Sequence, residues 1–119
     1  MKNIAFVFSH APHGTAFGRE GLDMILSASL TIQNISIFFI GDGIFQLVKN
    51  QKPEKILSQD YASAFCILPL YGINTFYFCA NSLIERGILE KDIFLLDINI
   101  LDKYVFQKKI STCDGIINF

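Results

Sequence analysis

The stretch Thr75-Phe76-Tyr77-Phe78-Cys79-Ala80-Asn81-Ser82-Leu83-Ile84-Glu85-Arg86-Gly87 changes character half-way along. Residues 75–78 are aromatic and β-favouring, suited to packing on a pleated sheet. Asn81 and Ser82 are helix-capping types, Glu85 follows Ser82 at capping-box spacing, and Gly87 stops the run. The pattern predicts a strand, a junction and a short helix over 81–86. Cys79 then falls within a residue or two of the helix amino end, where unpaired backbone N–H groups and the positive end of the dipole favour a thiolate, the reactive form of the side chain. The carboxyl ends of strands in an open α/β sheet are also where ligands collect. Cys79 is therefore the candidate catalytic residue. Core filling is the alternative, and the commoner use of a cysteine beside Phe76, Tyr77 and Phe78.

Outward from that junction, strand and helix patterns alternate. Residues 3–9 form a nearly continuous apolar run without alternation, as expected of a strand covered on both faces of a parallel sheet. Leu22, Ile25, Leu26 and Ser29 share one face of a helix over 19–29. Residues 35–41 read as the second strand, ended by Gly41-Asp42-Gly43, and residues 44–48 as one or two helical turns. A helix over 59–68 carries Tyr61, Ala64, Phe65 and Leu68 on one stripe and leaves Cys66 off it. A fourth strand is read at 93–98, a final helix at 101–110 and a fifth strand at 115–119. Such alternation implies right-handed βαβ units, hence a single domain over 1–119: a three-layer α/β sandwich with a mostly parallel five-stranded sheet.

Composition narrows the function classes. The 119 residues are 51% hydrophobic and 18% charged, with twelve Phe and no Trp, against about 25% charged in an average domain. Surplus apolar surface points to a partner chain, with Phe45, Leu47 and Tyr71 as interface candidates near turns; A/T-rich codon drift is the competing source of the same bias. A net charge of −1 without a Lys/Arg cluster gives no footprint for direct nucleic-acid binding. No apolar run is long enough to span a bilayer, and Met1-Lys2-Asn3 leads straight into a strand-like segment, so a cytoplasmic protein without membrane attachment is expected. Cys66, Cys79 and Cys113, an odd set without C-x-x-C spacing, argue against a disulfide framework and a structural zinc site. Asp114 beside Cys113 disfavours a thiolate there.

The loop after the first strand offers two further chemistries, neither well supported. Gly14, Gly18 and Gly21 precede and enter a helix, but match neither G-x-G-x-x-G nor a P-loop, and no Lys reaches for phosphate. Helix entry and close packing account for them. His10 and His13 stand at H-x-x-H spacing across Pro12 with no acidic neighbour before Glu20, which suits a polar loop lining a cleft better than a metal site. No cofactor and no metal are expected.

The segments Met1-Lys2-Asn3-Ile4-Ala5-Phe6-Val7-Phe8-Ser9, Ala11-Pro12-His13-Gly14-Thr15-Ala16, Gly18-Arg19-Glu20-Gly21-Leu22-Asp23, Phe38-Phe39-Ile40-Gly41-Asp42-Gly43 and Tyr77-Phe78-Cys79-Ala80-Asn81-Ser82-Leu83 closely resemble the TusC (DsrF-like) family of sulfur-relay proteins. The resemblance runs from end to end, with residues 11–23 as its most specific part. It implies a DsrE/F/H-type fold and a hetero-oligomer with TusB-like and TusD-like homologues. It further implies that persulfide sulfur passes through the complex from a TusA-like donor toward a TusE-like acceptor, for 2-thiolation of the tRNA wobble uridine. The sulfur-carrying cysteine of such complexes belongs to the TusD-like subunit, in a frame of Cys, small apolar residues, a helix and Arg-Gly. Cys79, Ala80, Arg86 and Gly87 fit that frame, while Asn81 and Ser82 replace its small apolar positions. The resemblance thus implies a component of a sulfurtransferase relay, accessory rather than the main carrier. The alternatives are an active persulfide carrier through Cys79 and a small-ligand module built on residues 14–21.

Overall fold

The computed structural model of the chain describes residues 3–9, 17–31, 34–47, 65–88 and 98–119. Within them five strands form one sheet: β1 (Asn3–Phe8), β2 (Asn34–Phe39), β3 (Phe76–Cys79), β4 (Asn99–Leu101) and β5 (Gly115–Asn118). Their order is β4-β3-β2-β1-β5, and every neighbouring pair is parallel. Three α-helices accompany the sheet: α1 (Phe17–Ala28), α2 (Ala80–Glu85) and α3 (Lys103–Ser111). Two 3-10 segments, Gly41–Leu47 and Phe65–Tyr71, complete the described elements.

Strand order explains the layering. From β1 to β4 the chain steps steadily toward one edge, so right-handed crossovers carry the intervening elements over the same face. Leu22 and Ile25 of α1, Leu68 of the second 3-10 segment and Leu83 of α2 accordingly pack with Phe6, Phe8, Ile37, Phe39, Phe76 and Phe78. From β4 the chain returns past all the other strands to pair β5 with β1, and α3 covers the opposite face. There Phe106 packs with Ala5, Val7, Phe38 and Cys79. The expected three-layer α/β sandwich is the fold observed.

Aromatic rings tie the α1 face together across the strands. Phe119 stacks on Phe8 with centroids 5.3 Å apart, Phe8 on Phe39 at 5.5 Å, and Phe39 meets Phe78 at 4.9 Å. Such pairs contribute about 0.5–1.5 kcal/mol each beyond their burial. Every Phe whose side chain is described is buried, so those rings are spent inside the sheet layers and not at the surface. The exposed apolar side chains are of other kinds, among them Leu70 and Tyr71 in the second 3-10 segment, Ile84 on α2 and Tyr104 on α3. Tyr71 is thus available at the surface as expected; the side chains of Phe45 and Leu47 lie outside what is described.

Several expected boundaries move, each for a local reason. The helix read over 59–68 is described only from residue 65, where the chain runs as a 3-10 segment containing Pro69, which lacks the N–H an α-turn would need. The fourth strand, expected at 93–98, is found at Asn99–Leu101; residues 93–97 lie outside the described set. β4 is a three-residue edge strand whose Asn99 is no strand former, and its register is set by pairing with β3, Cys79 opposite Leu101. The last helix starts at Lys103 because the carboxylate of Asp102 accepts the Val105 N–H at 2.9 Å, which leaves Leu101 in the sheet.

Two glycines are required by close approach. A methyl group at Gly21 would run into the Phe8 ring and touch that of Phe119, and one at Gly43 would overlap the carbonyl of Phe8. Gly72 differs: its φ is +83°, yet open space surrounds its missing side chain. Gly43→Ala is therefore expected to lower stability by about 3 kcal/mol, because backbone must shift, and Gly72→Ala by about 1–2 kcal/mol, from backbone strain alone. Urea unfolding of the two variants checks the order; equal losses would mean that the Gly43 turn does not rest on β1.

Candidate functional site

The carboxyl edge of the sheet gathers the polar groups of the junction segment. β3 runs one residue beyond its expected end, so Cys79 is both its last residue and the N-cap of α2, with φ −79° and ψ 120°. The shift moves Ser82 from a capping position into the first turn of α2. Its buried hydroxyl does not close a capping box. It accepts the Gly41 N–H at 2.9 Å, while Glu85, exposed, lies 3.6 Å from Arg86 Nη1.

Arg86 completes this clamp. Its Nε donates to Asp42 Oδ1 at 3.0 Å and its Nη1 to the Ser82 carbonyl at 3.2 Å. The turn after β2 and the helix after β3 are thus joined by a guanidinium, a hydroxyl and a backbone amide. Gly41 enters this turn with φ +58°, and Gly87 leaves α2 with φ +70°, its N–H donating to Ile84 O at 3.1 Å. Sequence reading located Gly41-Asp42-Gly43 and Arg86-Gly87 as punctuation but missed that Asp42 and Arg86, 44 residues apart, form a pair. No local spacing carries that signal.

Cys79 points away from the clamp. It is 2% exposed and lies on the α3 face, packed with Ala5, Val7, Phe38 and Phe106, with Ile40, Tyr77 and Leu101 around them. Its side chain makes no capping bond to the free amides of α2. The contact through which the helix end would act on sulfur is therefore not made in this closed arrangement. Position is another matter. The chain leaves β3 toward the α1 face and leaves β4 toward the α3 face, and Cys79 ends β3 at the carboxyl edge, the side on which open parallel sheets hold ligands. It pairs with Leu101 in register, while the strand order reverses between β1 and β5.

Cys113 sits elsewhere, after α3 and toward the amino ends of the strands. Burial, then the Asp114 carboxylate, push its thiol pKa up, against a smaller opposing pull from Lys109. Beside it a groove of ≈ 200 Å³ is lined by Asn3, Ser36, Phe38, Tyr77, Lys109, Thr112 and Cys113. The Lys109 ammonium stands 5.0 Å over the Tyr77 ring. His10, His13 and Gly14 lie outside the described residues, and Gly21 is buried against Phe8 in α1 and does not face an open loop. Among the described residues no group of three His, Cys, Asp or Glu side chains comes together as a cation site.

A family model described as DsrE/DsrF-like matches residues 2–119. The chain belongs to the DsrE/DsrF-like family. Its relatives include proteins named TusC from Buchnera aphidicola (56% identical) and Escherichia coli (44%), and a TusC homolog from Aliivibrio fischeri (49%), each aligned over the whole of both chains. Among solved structures, the ychN protein of E. coli superposes with a TM-score of 0.81 at 19% identity. A protein of unknown function from Methanobacterium thermoautotrophicum gives 0.69 at 11%. Both comparisons span both chains entirely, and they show that this α/β fold is shared with those structures.

The clamp predicts an asymmetry. Ser82→Ala strands the Gly41 amide without its acceptor and should lower stability by about 1–3 kcal/mol. Arg86→Gln breaks an ion pair whose carboxylate is solvated and should lower it by about 1 kcal/mol or less, with the difference shrinking in high salt. Thermal unfolding at two salt concentrations separates the two. For Cys113, alkylation should accelerate only at a pH above the ordinary thiol range, followed as rate against pH in a variant lacking Cys66 and Cys79. A midpoint at or below the ordinary range would contradict the burial described.

Proposed function

We propose that this chain is a subunit of a cytoplasmic sulfur-relay complex. It works with TusB-like and TusD-like homologues to pass persulfide sulfur from a TusA-like donor toward a TusE-like acceptor, for 2-thiolation of the tRNA wobble uridine. The observation that carries the reading is full-length relatedness to proteins named TusC at 44–56% identity. Within the complex its role is accessory: the one cysteine at the carboxyl edge of the described sheet is covered in the lone chain. Contact with tRNA is left to a downstream component, in keeping with a net charge of −1.

A second reading, persulfide carriage by Cys79, is favoured by its place at the carboxyl end of β3, the edge of an open parallel sheet where ligands collect. In that step the Cys79 thiolate attacks the outer sulfur of a donor persulfide. A new S–S bond forms as the donor's S–S bond breaks, and the donor cysteine leaves as a thiolate that takes up the proton Cys79 lost. The ligand-module reading has no such support, since Gly21 is occupied by the Phe8 ring.

Intact-mass spectrometry after incubation with a persulfidated TusA-like donor separates the first two. The accessory role predicts no stable added sulfur on this chain and unchanged relay through the assembled complex in Cys79→Ser. Carriage predicts one added sulfur, lost in that variant. Assembly has its own measurement. Leu70, 86% exposed, and Tyr104, 81% exposed, should drive self-association of the chain expressed alone, relieved by co-expression with the two homologues. A monodisperse lone monomer on light scattering would contradict a role in an obligate complex.

A further inference from the structure

Cys79 is shielded by two kinds of neighbour. Ala5, Val7, Phe38 and Tyr77 belong to β1, β2 and β3, strands in or beside the middle of the sheet and held by ladders on both sides. Phe106, Leu101 and Ile110 belong to the stretch that crosses the edge at β4 and returns as α3. Of the second group Phe106 and Ile110, both on α3, are able to move without breaking the sheet, whereas Leu101 is held in the β3–β4 ladder.

That helix is lightly fastened. Of the nine residues of α3 only Phe106 is buried, its ring meeting that of Phe38 edge-on at 5.4 Å. A helix this short is marginal by itself, so its order depends on that one anchor, the Asp102 cap and half-buried Ile110. Its carboxyl half does not seal onto the sheet; the ≈ 200 Å³ groove between Lys109, Thr112 and Tyr77 lies beneath it. The opposite face holds the large cluster of fifteen described buried residues, none of them from α3. Opening α3 therefore leaves that core intact.

We infer that α3 is a lid: it opens as a unit, apart from global unfolding, and uncovers the Cys79 thiol at the carboxyl end of β3 while the α1 face stays folded. The inference deepens the second functional reading, since a sulfur atom of the donor must come into line with the Cys79 thiolate. Its physical content, opening, is measured separately from sulfur uptake.

The test uses the full chain carrying Cys66→Ser and Cys113→Ser, so that Cys79 is the only thiol, with N-ethylmaleimide as probe. The lid predicts labelling in native buffer far faster than global unfolding allows, with a rate that responds weakly to urea below the unfolding transition. Adding Phe106→Leu should accelerate labelling roughly ten-fold or more, whereas Ile25→Val, which loosens the opposite face, should change it less than about two-fold. Labelling that follows the urea dependence of global unfolding, or equal acceleration by both substitutions, overturns the lid. Should Phe106→Leu not fold, the urea dependence of the parent chain decides. Rapid labelling without sulfur uptake in the mass measurement upholds the lid and removes the carrier reading; sulfur uptake with labelling tied to global unfolding does the reverse.

Discussion

A parallel sheet has two faces to cover, and this chain covers them unequally. Fifteen described buried residues make one continuous cluster on the α1 face, and five make the cluster on the α3 face. The inequality follows from strand order. Four strands wound in one direction send their connections over one side, and a single return leaves one helix for the other. The thickness of each layer, the position of Cys79 and the exposure of α3 all follow from that choice of winding.

The same winding makes the carboxyl edge a place where distant segments meet. Gly43 lies against the carbonyl of Phe8, Gly41 donates to Ser82, and Arg86 reaches Asp42, so the ends of β1, β2 and β3 are held as one rim. The largest contributions here come from absences and from one hydroxyl. A missing Cβ at Gly43 permits the approach, and Ser82 satisfies an amide that would otherwise be buried without a partner. The Arg86–Asp42 pair, with its solvated carboxylate, adds direction more than stability.

The parts legible in the sequence were those with a strong local period. The nearly continuous apolar runs of β1 and β2, the Leu22/Ile25 stripe of α1 and the aromatic run of β3 lie where the pattern puts them, because burial on both faces favours apolar residues at most positions of the strands. β4 escaped because an edge strand three residues long takes its conformation from its neighbour's ladder and not from its own side chains. The capping box failed by a single residue. Asn81-Ser82 has the right chemistry, but β3 keeps pairing through Cys79, so the helix begins earlier and Ser82 finds a tertiary partner. The side that Cys79 faces was not legible at the junction: a strand's last residue faces whichever side the two-residue alternation dictates, and that side is α3's.

That direction bears on the chemistry of sulfur transfer. A persulfide's outer sulfur is exposed to any competing thiol, so a carrier cysteine open to solvent at all times loses its cargo to whichever thiol arrives first. A thiol seated under a thin layer avoids this, provided the layer yields more easily than the rest of the fold. In a sheet wound this way the thin layer is the single returning helix. The cysteine that ends β3 is consequently the position in this fold where a ligand-binding edge and a removable cover coincide.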